Sequence, residues 1–247
     1  MNMRNNQGTI NLLKLSITAT LLTLLLSGCL YPQTDSSPTD VVSKEAIRNV
    51  QAAVDQYLAE KSVLPIHNSD STVDRYEKFR VNFDLLKKES YVEHLPSSSF
   101  EGGGNFYYLI LNEETDPVVK AQNIYLTQKV IDLQRKVDDY KSQHGNLPMT
   151  DKLYDGFYGI DYKALNMKTP EVHSPYSGSI AQLMLSESGT VYIDYASDIY
   201  QAMLANPELE ISEEQDLRAL LIEKSDYVPV KGAVYRLLNN EPVPIER

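Results

Sequence analysis

The sequence predicts an α+β fold: two tandem diverged modules, each a helix followed by short antiparallel strands, and then a small helix and a hairpin. Three observations predict it. Two amphipathic runs each break at Leu-Pro, an aromatic-rich segment of strand character comes after each run, and Pro/Ser/Gly loops separate the pieces. The divisions read from the chain are 1–28, a leader; 29–43, a tether; 44–122, a first module; 123–205, a second module; and 206–247, a C-terminal helix and hairpin.

The first helix is expected from about Ser43 to Lys61. Ile47, Val50, Val54 and Tyr57 recur at spacings of three and four, which puts them on one face. Val130, Leu133, Val137 and Tyr140 repeat the pattern at a constant offset of 83, and Leu64-Pro65 finds its match in Leu147-Pro148. Any two amphipathic helices can be slid into phase, so the apolar matches say little. Gln51/Gln134 and Asp55/Asp138 also fall in step, which periodicity does not require, and a duplicated module accounts for them.

The segments after the two helices are also similar. The first run leads into Val81–Leu86, a Ser-rich segment at 96–99, Gly102–Gly104 and Phe106–Ile110. The second leads into Ile160–Leu165, Ser174–Gly178 and Val191–Tyr195. Each set reads as a short apolar segment, a loop and an aromatic strand. From about Asn206 the chain reads as an appendage. Ser212 to Gln215 has the capping-box pattern of a helix running through Leu217, Leu220 and Leu221. Val234–Leu238, Asn239-Asn240 and Val243–Ile245 predict a hairpin whose last strand Pro242 and Pro244 confine to an edge.

The leader carries Arg4 and Lys14, no acid, and no charge at all from Leu15 to Gly28, where leucine dominates. A basic start, a short apolar core and small residues before a cut describe a secretory signal peptide. The uncharged run is shorter than the roughly 20 residues that a membrane-spanning helix needs. Leu26-Ser27-Gly28-Cys29 resembles the lipobox of bacterial lipoproteins. That resemblance implies cleavage before Cys29 and a diacylglyceryl group on its thiol, so that the membrane is a partner through Cys29 and the rest lies on the extracytoplasmic side. Two acyl chains anchor durably where one does not. Cys29 is the only cysteine, so no disulfide can form within the chain. Tyr31–Asp40, rich in Pro, Ser, Thr and Asp, reads as the tether.

The chain has 34 acids against 23 bases, a net charge of −11, and losing Arg4 and Lys14 with the leader makes the remainder more negative still. Nucleic acid is excluded as a partner by such a surface; an envelope protein or a wall component is not.

No catalytic residue, metal ligand or cofactor is predicted. His67, His94, His144 and His173 fit no HExxH or comparable spacing, and there is no second cysteine for zinc. Neither G-x-S-x-G nor a complete S-x-x-K motif set is present, and Ser174–Gly178 reads as a turn. Gly102–Gly104 lacks the Lys-Ser/Thr of a phosphate loop and reads as a flexible loop or hairpin. Glu113, Glu114 and Asp116 read as a solvated loop, and Asp194 and Asp198 face one side only if the strand there turns into a helix. The compositional oddity is 17 Tyr with 5 Phe and no Trp. Tyrosine combines a large contact area with a polar tip, so Tyr107, Tyr108, Tyr192 and Tyr195 are the candidate binding face.

These residues carry two family resemblances. The helix ending in Tyr-x6-Leu-Pro is similar, over about 22 residues of each copy, to the soluble part of type IV pilins and pseudopilins, although a lipobox stands where a pilin has its assembly helix. Ser27–Pro32, Ala53–Tyr57 with Leu64–Ile66, Ser174–Gly178, Tyr192–Tyr195 with Asp198–Tyr200, and Tyr227-Val-Pro229 look like the YphF-type lipoproteins of Bacillus-like bacteria. This second resemblance implies a Gram-positive envelope, between membrane and wall, and supplies neither an activity nor a site. The expectation is a non-enzymatic, lipid-anchored binding or scaffolding protein. The alternatives are the solute-binding lipoprotein of an ABC importer and a wall-acting enzyme with a carboxylate pair.

Overall fold

The computed structural model describes residues 42–246. The expected leader, the lipobox residues Leu26, Ser27 and Gly28, the lipidation site Cys29 and most of the tether lie outside the described residues.

Helix α1 (Lys44–Lys61) opens where the Ser43 hydroxyl accepts the Ala46 N–H at 3.0 Å. Its buried stripe is Ile47, Val50, Ala53, Val54 and Tyr57, the apolar face read from the sequence with Ala53 added. The chain continues through α2 (Phe83–Lys88), a 3-10 turn (Phe100–Gly102), β1 (Phe106–Leu111) and β2 (Val118–Asn123). The second module holds α3 (Ile124–His144), β3 (Met149–Tyr154), β4 (Phe157–Ile160), β5 (Leu183–Ser186), β6 (Val191–Ile193) and α4 (Ala196–Leu204). It is followed by α5 (Ala219–Glu223), β7 (Val234–Leu238) and β8 (Glu241–Ile245).

In the second module β3-β4-β5-β6 form one antiparallel sheet, and α3 packs on β6. The first module keeps the same order in reduced form. Here β1 and β2 pair fully, and the two outer positions survive as single bridges, Ile66↔Val81 and Arg80↔Leu109, while α1 packs on β2. The reduction has a local cause. Asp155-Gly156, with Gly156 at φ +76°, closes β3 onto β4 as a tight hairpin. The corresponding stretch of the first module is a longer loop, folded by Asx turns at Asp70 and Asp74, whose Tyr76 is drawn into the second module's core.

The described residues form two cores. One gathers Val54, Leu86, Phe106 and Ile110 beneath α1. The larger is built on α3, β5 and β6, and takes Tyr76, Leu109 and Leu111 from the first module. Strand β1 is therefore buried on both faces, its alternate residues feeding different cores.

The C-terminal stretch is not an appendage. Leu217, Leu220, Leu221, Val228, Val230 and Tyr235 are all part of the larger core. The segment 226–232 forms a strap along both sheets. The Ala121 N–H donates to the Asp226 carbonyl at 2.7 Å and the Val228 N–H to the Ala121 carbonyl at 3.0 Å, while the Ile193 N–H donates to the Lys231 carbonyl at 2.8 Å. Ala121 and Ile193 hold equivalent places on β2 and β6, so one segment covers the free edge of both modules.

Ser212–Gln215 is a turn, and the helix expected there begins only at Ala219. Two contacts pull the intervening chain off a helical path: the Leu217 N–H donates to the Tyr235 carbonyl at 3.0 Å, and Arg218 is drawn into the interior. The hairpin β7–β8 turns at Asn239 and Asn240, at φ 51° and 65°, a primed turn that asparagine tolerates. Pro242 and Pro244 face Leu237 and Tyr235, positions where an antiparallel pair asks for no N–H.

Candidate functional site

Where the two modules meet, a cleft of about 650 Å3 opens between the start of α3 and the segment 171–175. The sequence builds it from the end of β2. The Asn123 carboxamide caps α3 by accepting the Leu126 N–H at 3.1 Å, and the Ile124 N–H donates to the Asn105 carbonyl at 2.9 Å. One turn along α3, Lys129 reaches across the cleft to donate to the Glu171 carbonyl, with its ammonium 4.5 Å above the Tyr125 ring. On the far wall the His173 Nδ1 lies 3.0 Å from the Gly178 carbonyl. A carbonyl only accepts, so Nδ1 carries the proton and a neutral ring leaves Nε2 as an acceptor. Ser174 is buried, and its hydroxyl accepts the Tyr176 N–H at 3.1 Å, which fixes the turn after it.

Tyr227 of the strap completes the cleft. Its ring lies 5.9 Å from that of Phe106, and its hydroxyl accepts the Val42 N–H at 3.2 Å. The lining holds one base and one acid, Lys129 and Glu171, beside two carboxamides and several aromatic rings. This is a preformed, nearly neutral groove suited to binding a polar ligand.

The four tyrosines of the expected binding face do not make one. Tyr108 is buried and shares a 2.8 Å hydrogen bond with the Ser98 hydroxyl, its ring edge-on to Phe83. Tyr195 is fully buried, its hydroxyl donating to the Val230 carbonyl at 3.1 Å, and burial pushes its ionisation far above the usual tyrosine range. Tyr107 lies under the Arg80 guanidinium, 3.7 Å from the ring centre, and against Phe100. Tyr192 packs edge-on to Phe157 within the four-stranded sheet. Strand alternation would leave one face open, but β1 feeds a core on each face, and Tyr192 is half-buried against Phe157. The tyrosines that do reach the cleft, Tyr125 and Tyr227, sit on a helix start and on the strap, where no strand pattern would find them.

The other candidates are simpler. All four histidines are exposed, and His144 stacks on Tyr140. Among the described residues no group of three acids or histidines is placed to hold a metal ion. The triple glycine is a tight turn rather than a flexible loop. A Cβ on Gly102 would stand 2.2 Å from the Pro96 carbonyl oxygen, and one on Gly104 2.3 Å from that of Ser98.

β6 does run into a helix, and Asp194 and Asp198 line one cavity of about 210 Å3. Asp194 is a brace there. It accepts from the Tyr235 hydroxyl at 2.8 Å, the Tyr154 hydroxyl at 2.9 Å and the Ala196 N–H at 2.9 Å.

No curated protein and no solved structure matches this chain. Residues 43–123, from the Ser43 cap of α1 to the last residue of β2, match the family model described as the YphF family N-terminal domain. The first module is therefore similar to the YphF N-terminal domain, and this match supports assigning the chain to the YphF type.

Proposed function

We propose that this YphF-type chain is a lipid-anchored binding protein on the extracytoplasmic face of a bacterial membrane, with the seam cleft as its ligand surface. The leader and the Leu26–Cys29 motif support the address, and Cys29 is the residue that would carry the diacylglyceryl anchor. The observation that carries the binding role is the cleft itself. It is preformed, nearly neutral on an acidic chain, and bounded by Tyr227, which also holds Val42 at the end of the tether. Its partner would be an envelope protein or a wall component. An importer-type binder that closes by hinging fits less well, because the strap is hydrogen-bonded to both sheets.

Two measurements test this reading. Cys29→Ala should abolish labelling of the chain by a palmitate analogue, and unchanged labelling would remove the anchor. A photo-crosslinking residue at Tyr125, 58% exposed in the cleft, should capture an envelope component that the same residue at Val63, 57% exposed beyond the end of α1, does not. Equal capture from both positions would remove the cleft as the binding surface.

A further inference from the structure

Asp198 is an anomaly among the carboxylates. It stands in the first turn of α4, is only 7% exposed, and makes no hydrogen bond or ion pair to any of the described residues. A carboxylate at this third helical position ordinarily reaches back to the N–H of the capping residue. Here that residue is Tyr195, and its N–H is already given to the Tyr235 hydroxyl at 2.9 Å. The usual structural task of Asp198 is thus performed by another group. Among the described residues no group pairs with its carboxylate, whose oxygens keep access to the space beside them and so to a cation that enters it.

Asp198 faces open space. It lines both the 210 Å3 cavity that it shares with Asp194 and a neighbouring cavity of about 490 Å3. Serine hydroxyls of Ser177 and Ser197 border the first, and the Tyr176 ring with Leu220 and Leu221 borders the second. Lys224 also lines the larger cavity, but its ammonium is given to the Asn206 side-chain oxygen.

We propose that Asp198 is the anchor of a second binding site, distinct from the seam cleft, for a primary alkylammonium group. The charge would pair with Asp198, the serine hydroxyls would accept its remaining protons, and the Tyr176 ring and the leucines would cover its alkyl chain. The smaller cavity lies below the roughly 300–1,000 Å3 that take drug-sized ligands, so the cation is short. A free aliphatic amine and the lysine side chain of a partner share this chemistry.

The test titrates n-butylammonium into the full-length chain and monitors the amide resonances of Ser177, Ser197 and Asp198. Shifts at those residues with Kd on the order of 1 mM are expected, and n-butanol should bind at least about tenfold more weakly. Asp198→Asn should lose binding by at least about tenfold with no fall in Tm, since no hydrogen bond inside the fold is removed. Nα-acetyl-lysine methylamide separates the sources: tighter binding than n-butylammonium points to a partner's lysine, weaker binding to a free amine. Equal binding of n-butanol, unchanged binding in Asp198→Asn, or shifts confined to other residues would overturn the site. So would an equal fall in Tm for Asp198→Asn and Lys224→Met, which would identify an internal ion pair.

Discussion

Gln51 and Gln134 make the same three hydrogen bonds, one set in each module. The Oε1 of Gln51 accepts the Val119 N–H at 2.7 Å, and the Oε1 of Gln134 accepts the Val191 N–H at 2.7 Å. Each Nε2 donates to the carboxylate four residues on, Asp55 or Asp138, and to a carbonyl just before the last strand, of Pro117 or Gly189. Each glutamine thus pins its helix to the edge strand that helix covers. A side chain that satisfies one backbone donor and one backbone acceptor together resists substitution, which accounts for its persistence while the loops around it diverged.

Gln51→Ala and Gln134→Ala should each lower stability by about 1–3 kcal/mol, because each leaves a strand N–H without its acceptor. The two pins share no partners, so the double variant should be additive within about 0.5 kcal/mol. Urea unfolding of the three variants measures both quantities, and a loss well under about 0.5 kcal/mol would show that water replaces the side chain.

Arg218 should be the most costly single surface-to-core link to break. Its side chain is 1% exposed. It pairs with Asp216 at 2.8 Å and Asp74 at 3.4 Å, donates to the Gly232 carbonyl at 2.9 Å, and lies 4.7 Å over the Tyr76 ring. It thereby ties the first module's loop to the strap, as Lys231 and Glu77 do beside it at 2.8 Å. Arg218→Ala is expected to cost about 3–5 kcal/mol. Arg218→Lys should rescue little, since a single ammonium cannot reproduce the fork. Thermal unfolding of the two variants checks both points.

Stability should fall steeply above pH 10. Burial pushes the hydroxyls of Tyr76 and Tyr162 up to about 12, and burial together with the Asp194 charge pushes Tyr235 up as well. Raised values mean that the folded chain holds these protons after the unfolded chain has lost them. Their contribution is complete below the unfolded value near 10 and is lost as pH rises through the folded values. Denaturation monitored by tyrosinate absorbance should show these tyrosines ionising together with unfolding. Their titration near pH 10 in a still-folded chain would contradict it.

The glycine turn gives a graded test. Gly103 is at φ +89° with open space around it, so Gly103→Ala should cost only the strain of that conformation, about 1–2 kcal/mol. Gly102→Ala and Gly104→Ala place a methyl group against backbone carbonyls that cannot move aside, and should cost more than Gly103→Ala. Comparing the Tm values of the three variants decides it.

The sequence by itself carried the α+β class, the buried stripe of α1, most of that of α3, and the terminal hairpin, because each is written in local periodicity or turn chemistry. It also carried the Gln and Asp matches of the two modules. The Asp155-Gly156 turn that closes β3 on β4 was equally present as a hairpin signal beside short, mixed strands, and nothing in the apolar pattern drew attention to it. The strap was not legible. Tyr227 to Gly232 is a Val-Pro-Val stretch without periodicity, and its role comes from two edges brought side by side by distant parts of the chain. The same holds for the tyrosines and for Asp198. Composition counts aromatic rings and carboxylates, but only packing decides that Tyr108 and Tyr195 are covered, that Tyr125 and Tyr227 border a cleft, and that the Tyr235 hydroxyl takes the N–H that Asp198 would otherwise cap.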